Sequence, residues 1–163
     1  MELMITVKGT NKFTVTDKKQ QRLLYTIKKK AFGGSRYLLL DASNYQLYTI
    51  VQMNEDRKPM FAITHNDAEI MKLECKSLFL DPTITVEGKD TAGSVISYAI
   101  TSKEHRDFQL LKDGLNVGKL AVHTNTAGDL QYEIGIEDKV FDDYIPLFAI
   151  AVDLTFGDMN KSK

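Results

Sequence analysis

The sequence predicts a mainly β fold, an antiparallel barrel of about twelve strands closed around one hydrophobic helix near its C-terminal end. Three observations lead there. An apolar-x-apolar step recurs six times along the chain. Apolar and polar residues alternate with period two around those steps, as half-buried strands require. A late stretch, Tyr144 to Phe156, abandons the alternation and is apolar on every side.

The steps are Phe13-x-Val15, Tyr37-x-Leu39, Phe61-x-Ile63, Ile84-x-Val86, Phe108-x-Leu110 and Tyr132-x-Ile134, at successive spacings of 24, 24, 23, 24 and 24 residues. The run Leu3 to Val7 precedes them as a first strand. Each of the first five steps is then followed by a turn-type segment and a second run of β-forming residues. These are DKKQQ then RLLYTIK, DASNY then QLYTIVQ, HND then AEIMKLE, GKDTAG then SVISYAI, and KDGLN then VGKLAVH. Asp, Asn, Gly and Lys between two alternating runs are the chemistry of a tight antiparallel connection, so each unit reads as a hairpin. The sixth step lies in a closing strand, Leu130 to Ile136. The second runs drift in phase, which predicts β-bulges within them.

An open antiparallel sheet this wide exposes two edges, so closure into a barrel or splitting into a sandwich is favoured. The helix chooses between them. Ile145, Leu147, Phe148, Ala149, Ile150, Ala151, Val152, Leu154 and Phe156 cover its whole circumference, which demands a wall on every side. An eight-stranded barrel is filled by its own side chains, whereas a twelve-stranded one has room for a helix on its axis, leaving no open lumen. Asp142 or Asp143 is suited to cap the first amides and Pro146 to the first turn, which sets the expected helix at about 142–156. Thirteen helical residues span roughly 20 Å, short of the roughly 30 Å hydrocarbon core, and Asp153 interrupts the run, so no transmembrane segment is expected. The organisation predicted is one domain over residues 1–158 followed by a short polar tail, 159–163.

This meander of hairpins closed by an apolar C-terminal helix, from KFTVTDKKQQRLLYTIKKK through RYLLLDASNYQLYTI to DDYIPLFAIAVDLTF, resembles the tubby C-terminal-like superfamily. That superfamily includes the LURP-one-related and phospholipid scramblase-like proteins. The chain is most similar to small bacterial proteins of the LURP-one-related type, with their repeated F-x-[VIL]-x-D openings and an apolar tail helix carrying an acidic residue, here Asp153. The resemblance implies the fold strongly and the function weakly. Tubby binds phosphoinositides through basic residues, but no motif of those residues matches this chain position by position, so no site is carried over.

The net charge of -1 hides a segregation. Residues 8–36 hold Lys8, Lys12, Lys18, Lys19, Arg22, Lys28, Lys29, Lys30 and Arg36 against Asp17 alone, a balance of +8, so the remainder sums to -9. Much of the acid lies late, at Asp129, Glu133, Glu137, Asp138, Asp142, Asp143, Asp153 and Asp158 against Lys139. One reading is a basic surface for an anionic partner. The other is structural: the two segments neutralise one another, or the lysines solvate strand edges. The densest basic cluster, Lys28, Lys29, Lys30 and Arg36 around a Gly-Gly turn, is the candidate anion-binding site, with Phe32 as a partial apolar anchor. Side chains alternate across a strand, so Lys28 and Lys30 share one face and Lys29 takes the other.

Catalytic chemistry has little to hold. His65, His105 and His123 lack zinc-site spacing with one another or with Cys75, and G-x-S-x-G, G-x-x-x-x-G-K and G-x-G-x-x-G do not occur. Neither a metal nor a cofactor is expected. Cys75 is a thiol with no partnered base and receives no role, and Asp153 is expected at an open barrel end or beside a Lys or Arg. A single cysteine and an opening MELMITVKGT without a basic n-region and apolar h-region lead us to expect a cytoplasmic protein. The function expected is a non-enzymatic binding module for anionic phospholipid headgroups or a membrane surface, peripheral to the membrane; the alternative is a protein-interaction or scaffold domain. Nucleic acid is disfavoured, because no stacking aromatic pair accompanies the lysines.

Overall fold

The computed structural model describes residues 1–9, 11–19, 21–31 and 34–161. Twelve strands follow one another: β1 (Glu2–Lys8), β2 (Lys12–Asp17), β3 (Leu23–Lys29), β4 (Arg36–Asp41), β5 (Gln46–Gln52), β6 (Met60–His65), β7 (Ala68–Ser77), β8 (Thr83–Lys89), β9 (Val95–Ser102), β10 (Asp107–Lys112), β11 (Leu115–Thr124) and β12 (Leu130–Ile136). Each pairs antiparallel with its sequence neighbours, and β1 pairs with β12, with Ile5 opposite Tyr132, so the sheet is a closed barrel with no free edge.

All six apolar steps of the sequence lie on the even-numbered strands and point inward. Phe13, Val15, Tyr37, Leu39, Phe61, Ile63, Ile84, Val86, Phe108, Leu110, Tyr132 and Ile134 are buried. Four odd-numbered strands carry an extra residue that breaks their alternation. The register skips Leu24 in β3, Leu47 in β5, Ile70 in β7 and Val117 in β11. These four residues are apolar and half-buried against the core; a fifth skip, at Lys76 where β7 pairs with β8, leaves that lysine exposed. Opposite the Ile70 bulge stands Gly88 at φ +155, where an added Cβ would overlap the Ile70 carbonyl and the Met71 Cα.

The turns are specified locally. Asn66-Asp67 and Asp113-Gly114 both take φ > 0, the two-residue arrangement whose twist suits a hairpin. Asp41, Asp90 and Asn125 head three longer turns of one design, in which the side-chain oxygen accepts the amides two and four residues on.

The helix α1 (Pro146–Lys161) threads the barrel axis, its buried residues including the whole run Pro146 to Val152. Phe148 is fully buried and meets Tyr98 edge-on, with ring centroids 5.1 Å apart. The helix starts later and ends later than the 142–156 expected. Residues before Pro146 form turns closed by main-chain bonds from Ile145 to Asp142 and from Leu147 to Tyr144. The two aspartates do not supply the expected cap: Asp143 accepts the Tyr25 hydroxyl and Asp142 accepts the Asp143 amide. At the far end the Asn160 amide donates to the His105 carbonyl at 3.0 Å, and Arg106 donates to the Asn160 carbonyl at 2.9 Å. These bonds tie the last turn to the β9–β10 connection, so residues 159–161 are helical, where a polar tail was expected.

The barrel thus has two unlike ends. The helix enters beside the β2–β3, β4–β5, β6–β7, β8–β9 and β10–β11 connections and leaves beside the other six. Acid gathers at the entry end, where Asp41, Asp90, Asp113, Asp142 and Asp143 lie near the helix start. Burial first, then the neighbouring Asp143 and Asp90, holds the Asp142 carboxyl above its usual range.

Candidate anion-binding face

Register, more than sequence proximity, assembles the lysines. Lys8 on β1 stands opposite Lys12 on β2, and Lys12 opposite Lys28 on β3. Their strand neighbours Phe13 and Ile27 are buried inside, so the three ammonium groups form a row on the outer face of three adjacent strands, all exposed. The row continues into Leu38 on β4, one pairing step from Arg36. Lys30 lies just past β3, its amide donating to the Arg36 carbonyl at 2.8 Å. Lys29 pairs with Tyr37, whose ring is buried, so it takes the opposite side from Lys28 at the barrel mouth. The sequence grouped Lys28, Lys29, Lys30 and Arg36; the fold keeps Lys28, Lys30 and Arg36 together, turns Lys29 aside and adds Lys8 and Lys12. Only the pairing of β1 with β2 and β2 with β3 reveals those two. Phe32, the expected apolar anchor, lies outside the described residues.

Like charges directly opposite on a sheet repel, so this row is a local expense in stability. Nothing among the described residues relieves it. None of Lys8, Lys12, Lys28, Lys29, Lys30 or Arg36 lies within 4.0 Å of a carboxylate, and Arg36 Nε is buried without a hydrogen-bond partner. The two structural readings of the basic segment fail here for separate reasons. β2 and β3 have partners on both sides, so there is no edge for lysine to guard. Neutralisation by the late acidic segment is confined to Lys18, which lies 3.5 Å from Glu133 and 3.6 Å from Glu2 at the entry end.

The three histidines and Asp153 are each engaged by a neighbour within the protein. His105 Nε2 meets the Leu78 carbonyl at 2.6 Å, the His65 ring lies tilted against Tyr48 with centroids 5.5 Å apart, and His123 lies 3.6 Å from Glu133. Burial pushes the Cys75 thiol up, away from the thiolate a nucleophile needs. Asp153 meets neither the expected Lys nor Arg within ion-pair distance; it accepts the Tyr132 hydroxyl. Burial raises its carboxyl above the usual range while that bond opposes the rise. Gly157 makes the arrangement fit, since a Cβ there would lie 2.9 Å from the Asp153 carboxylate. No described group of three or more His, Cys, Asp or Glu side chains is placed to hold a metal ion. No described helix is long and apolar enough to cross a membrane. An outer-face groove of about 640 Å³ lies beside Gln109, Lys119 and Gly135.

Residues 1–154 match the model of the LURP-one-related family. The chain belongs to the LURP-one-related family. An X-ray structure of a protein from Arabidopsis thaliana is similar over 98% of this chain and 91% of that one, with a TM-score of 0.59 and 16% identity, a likeness of fold. No curated protein matches the sequence. In this LURP-one-related barrel the interior is occupied by α1, so the outer wall and the loops around the two mouths are the surfaces left to a ligand.

Proposed function

We propose that the domain is a non-enzymatic binding module whose outer basic face, Lys8, Lys12, Lys28, Lys30 and Arg36, engages anionic phosphate at a phospholipid membrane surface. The observation that carries this reading is the row of three lysines on adjacent strands, Lys12 standing opposite both Lys8 and Lys28, without acidic partners. A cytoplasmic protein, peripheral to the membrane, fits it. Lysines near an anionic surface contribute about 1 kcal/mol each, and the attraction falls off within a Debye length of about 10 Å at 0.1 M salt.

The test is co-sedimentation with vesicles of phosphatidylcholine alone and with added phosphatidylserine, at low and near-physiological salt. Binding to the anionic vesicles only, weakened by salt and lowered about 100-fold by Lys8→Gln with Lys12→Gln and Lys28→Gln, is the expected result. Absence of binding at low salt, or binding unchanged in that triple variant, overturns the reading. The alternative is a protein-interaction or scaffold domain using the outer groove beside Gly135. It predicts no vesicle binding and loss of a partner on Gly135→Arg.

A further inference from the structure

The exit end of the barrel carries more than lysines. The β7–β8 connection displays Phe79 and Leu80 side by side, 63% and 83% exposed. Two adjacent large apolar side chains facing water need a physical reason, unlike single ones scattered over a surface. A floppy loop is not the reason, because this one is fastened on every side. Leu78 is buried in the core and its carbonyl meets His105, the Ser77 hydroxyl donates to the Leu80 carbonyl, and Thr83 donates to the Asp81 carbonyl at 2.7 Å. Lys103 lies 2.9 Å from the Asp81 carboxylate. The backbone thus holds Phe79 and Leu80 outward.

The surroundings of this tip are basic. Arg57, Lys58 and Lys76 line the hollow beside Phe79, and the Arg57 guanidinium lies 6.0 Å from the Phe79 ring centre. Neither Arg57 nor Lys58 has a carboxylate within 4.0 Å among the described residues, although Glu55 and Asp56 share their loop. Going round the rim, the β1–β2, β3–β4, β5–β6 and β7–β8 connections stand in succession at one end. Strands lie about 5 Å apart, so the Lys28–Arg36 face and the Phe79 tip are separated by only about 20 Å of rim. Met53, 56% exposed, lies between them.

The entry end offers the control. Tyr45, Val95 and Leu115 are equally exposed there, but each stands on its own hairpin beside the carboxylates of Asp41, Asp90 and Asp113. Acid repels an anionic surface, so charge distinguishes the two ends. Lys76 is paired with Glu74 at 2.6 Å, which leaves Arg57 and Lys58 as the cations without a carboxylate partner beside the tip. A hydrophobic tip flanked by two such cations is the chemistry of a bilayer interface, where apolar side chains pass the headgroups and the cations stay with the phosphates.

We infer that Phe79 and Leu80 form a membrane-inserting tip that orients the exit end of the barrel against an anionic lipid bilayer. The inference rests on the basic-face reading and adds to it the depth and the direction of docking. It also commits to a bilayer, because a free phosphate or a soluble polyanion has no apolar phase for the tip to enter.

The chain contains no tryptophan, so Phe79→Trp places a single reporter at the tip. With phosphatidylserine-containing vesicles its emission shifts to shorter wavelength and is quenched by lipids brominated in the acyl chain. It does neither with phosphatidylcholine vesicles, inorganic phosphate or heparin. In the otherwise native chain, Phe79→Ala with Leu80→Ala lowers vesicle partitioning tenfold or more while the melting temperature stays unchanged, both side chains being exposed. If the protein binds anionic vesicles but the reporter neither shifts nor is quenched and the double alanine variant binds equally well, the tip is refuted and the basic face stands. If heparin shifts the reporter as strongly as vesicles do, the surface is a polyanion site and the tip is also refuted. If the protein binds no anionic vesicle at low salt, both readings fall together.

Discussion

The Tyr132 hydroxyl on β12 donates to the carboxylate of Asp153 on α1, a polar pin between the closing strand and the helix it encloses. Tyr132 is fully buried and its phenol is held strongly toward the protonated form, by burial first and then by the adjacent carboxylate. Tyr132→Phe removes the donor and leaves the carboxylate without that bond, so urea denaturation should show a loss of about 1–3 kcal/mol.

Asp153 should also make stability depend on pH. Its folded pKa lies above the ordinary aspartate range, with burial the largest cause, so the folded state holds this proton more tightly than the unfolded chain does. The contribution is therefore favourable below the unfolded value and is lost as pH rises through the folded one. Asp153→Asn removes the titration. Melting curves of the two proteins should draw closer at acid pH, and the balance should move in favour of the Asn variant as pH rises toward neutral. A difference independent of pH would mean that Asp153 is ionised at no cost.

The helix carries the core, and Phe148 is its largest fully enclosed side chain in the run from Pro146 to Val152. Phe148→Ala should cost about 3–5 kcal/mol by denaturant titration. Removal of the chain from Asp143 onward should do more, leaving an apolar-lined sheet that aggregates; a cooperative, monomeric truncation product would show that the sheet closes without its helix.

Gly88 and Gly135 test the bulge. A Cβ at Gly88 overlaps the backbone of the Ile70 bulge, whereas one at Gly135 meets only the Lys119 side chain, at 3.9 Å. Gly88→Ala should destabilise by about 1–3 kcal/mol, and Gly135→Ala should fall within about 0.5 kcal/mol of the parent. Equal effects in thermal melts would remove the bulge's dependence on that glycine.

The opposed lysines make binding and stability pull apart. Lys28→Glu should stabilise the barrel by roughly 0.2–1 kcal/mol at low salt through its cross-strand neighbour Lys12, with the gain shrinking as salt is added. The same change should weaken attachment to anionic vesicles. Melting temperature measured across a salt series separates this from a packing effect, which salt leaves alone.

How far the sequence could be read follows from which forces are local. The steps from Phe13 to Tyr132 marked six strands because inward side chains must recur every second residue along a strand, whatever the partner. Bulges were expected in the second runs, but their places at Leu24, Leu47, Ile70 and Val117 depend on the neighbouring strand and came only with the register. The helix was legible as apolar on all sides; its ends were not, because Asn160 is fixed by the His105 carbonyl and Arg106, contacts from an element more than fifty residues earlier. At the candidate site, Lys28, Lys30 and Arg36 were visible as a cluster in the chain. Lys8 and Lys12 join them only through β1 and β2, and Phe79 and Leu80 in SLFLDP read as ordinary apolar positions until their exposure is known.

The segment that fills this barrel is synthesised after all the strands that surround it, and β1 finds its second partner only when β12 has been made. A ribosome therefore releases hairpin after hairpin whose inner faces have nothing to cover them. Pairing between neighbours can proceed during translation, but closure and filling must await the final stretch and then happen together. Such non-local assembly is slow, and the waiting intermediates are exposed to aggregation. The alternating Lys, Thr and Glu of the outer faces keep one side of each hairpin soluble, while the other side is a natural substrate for a holding chaperone.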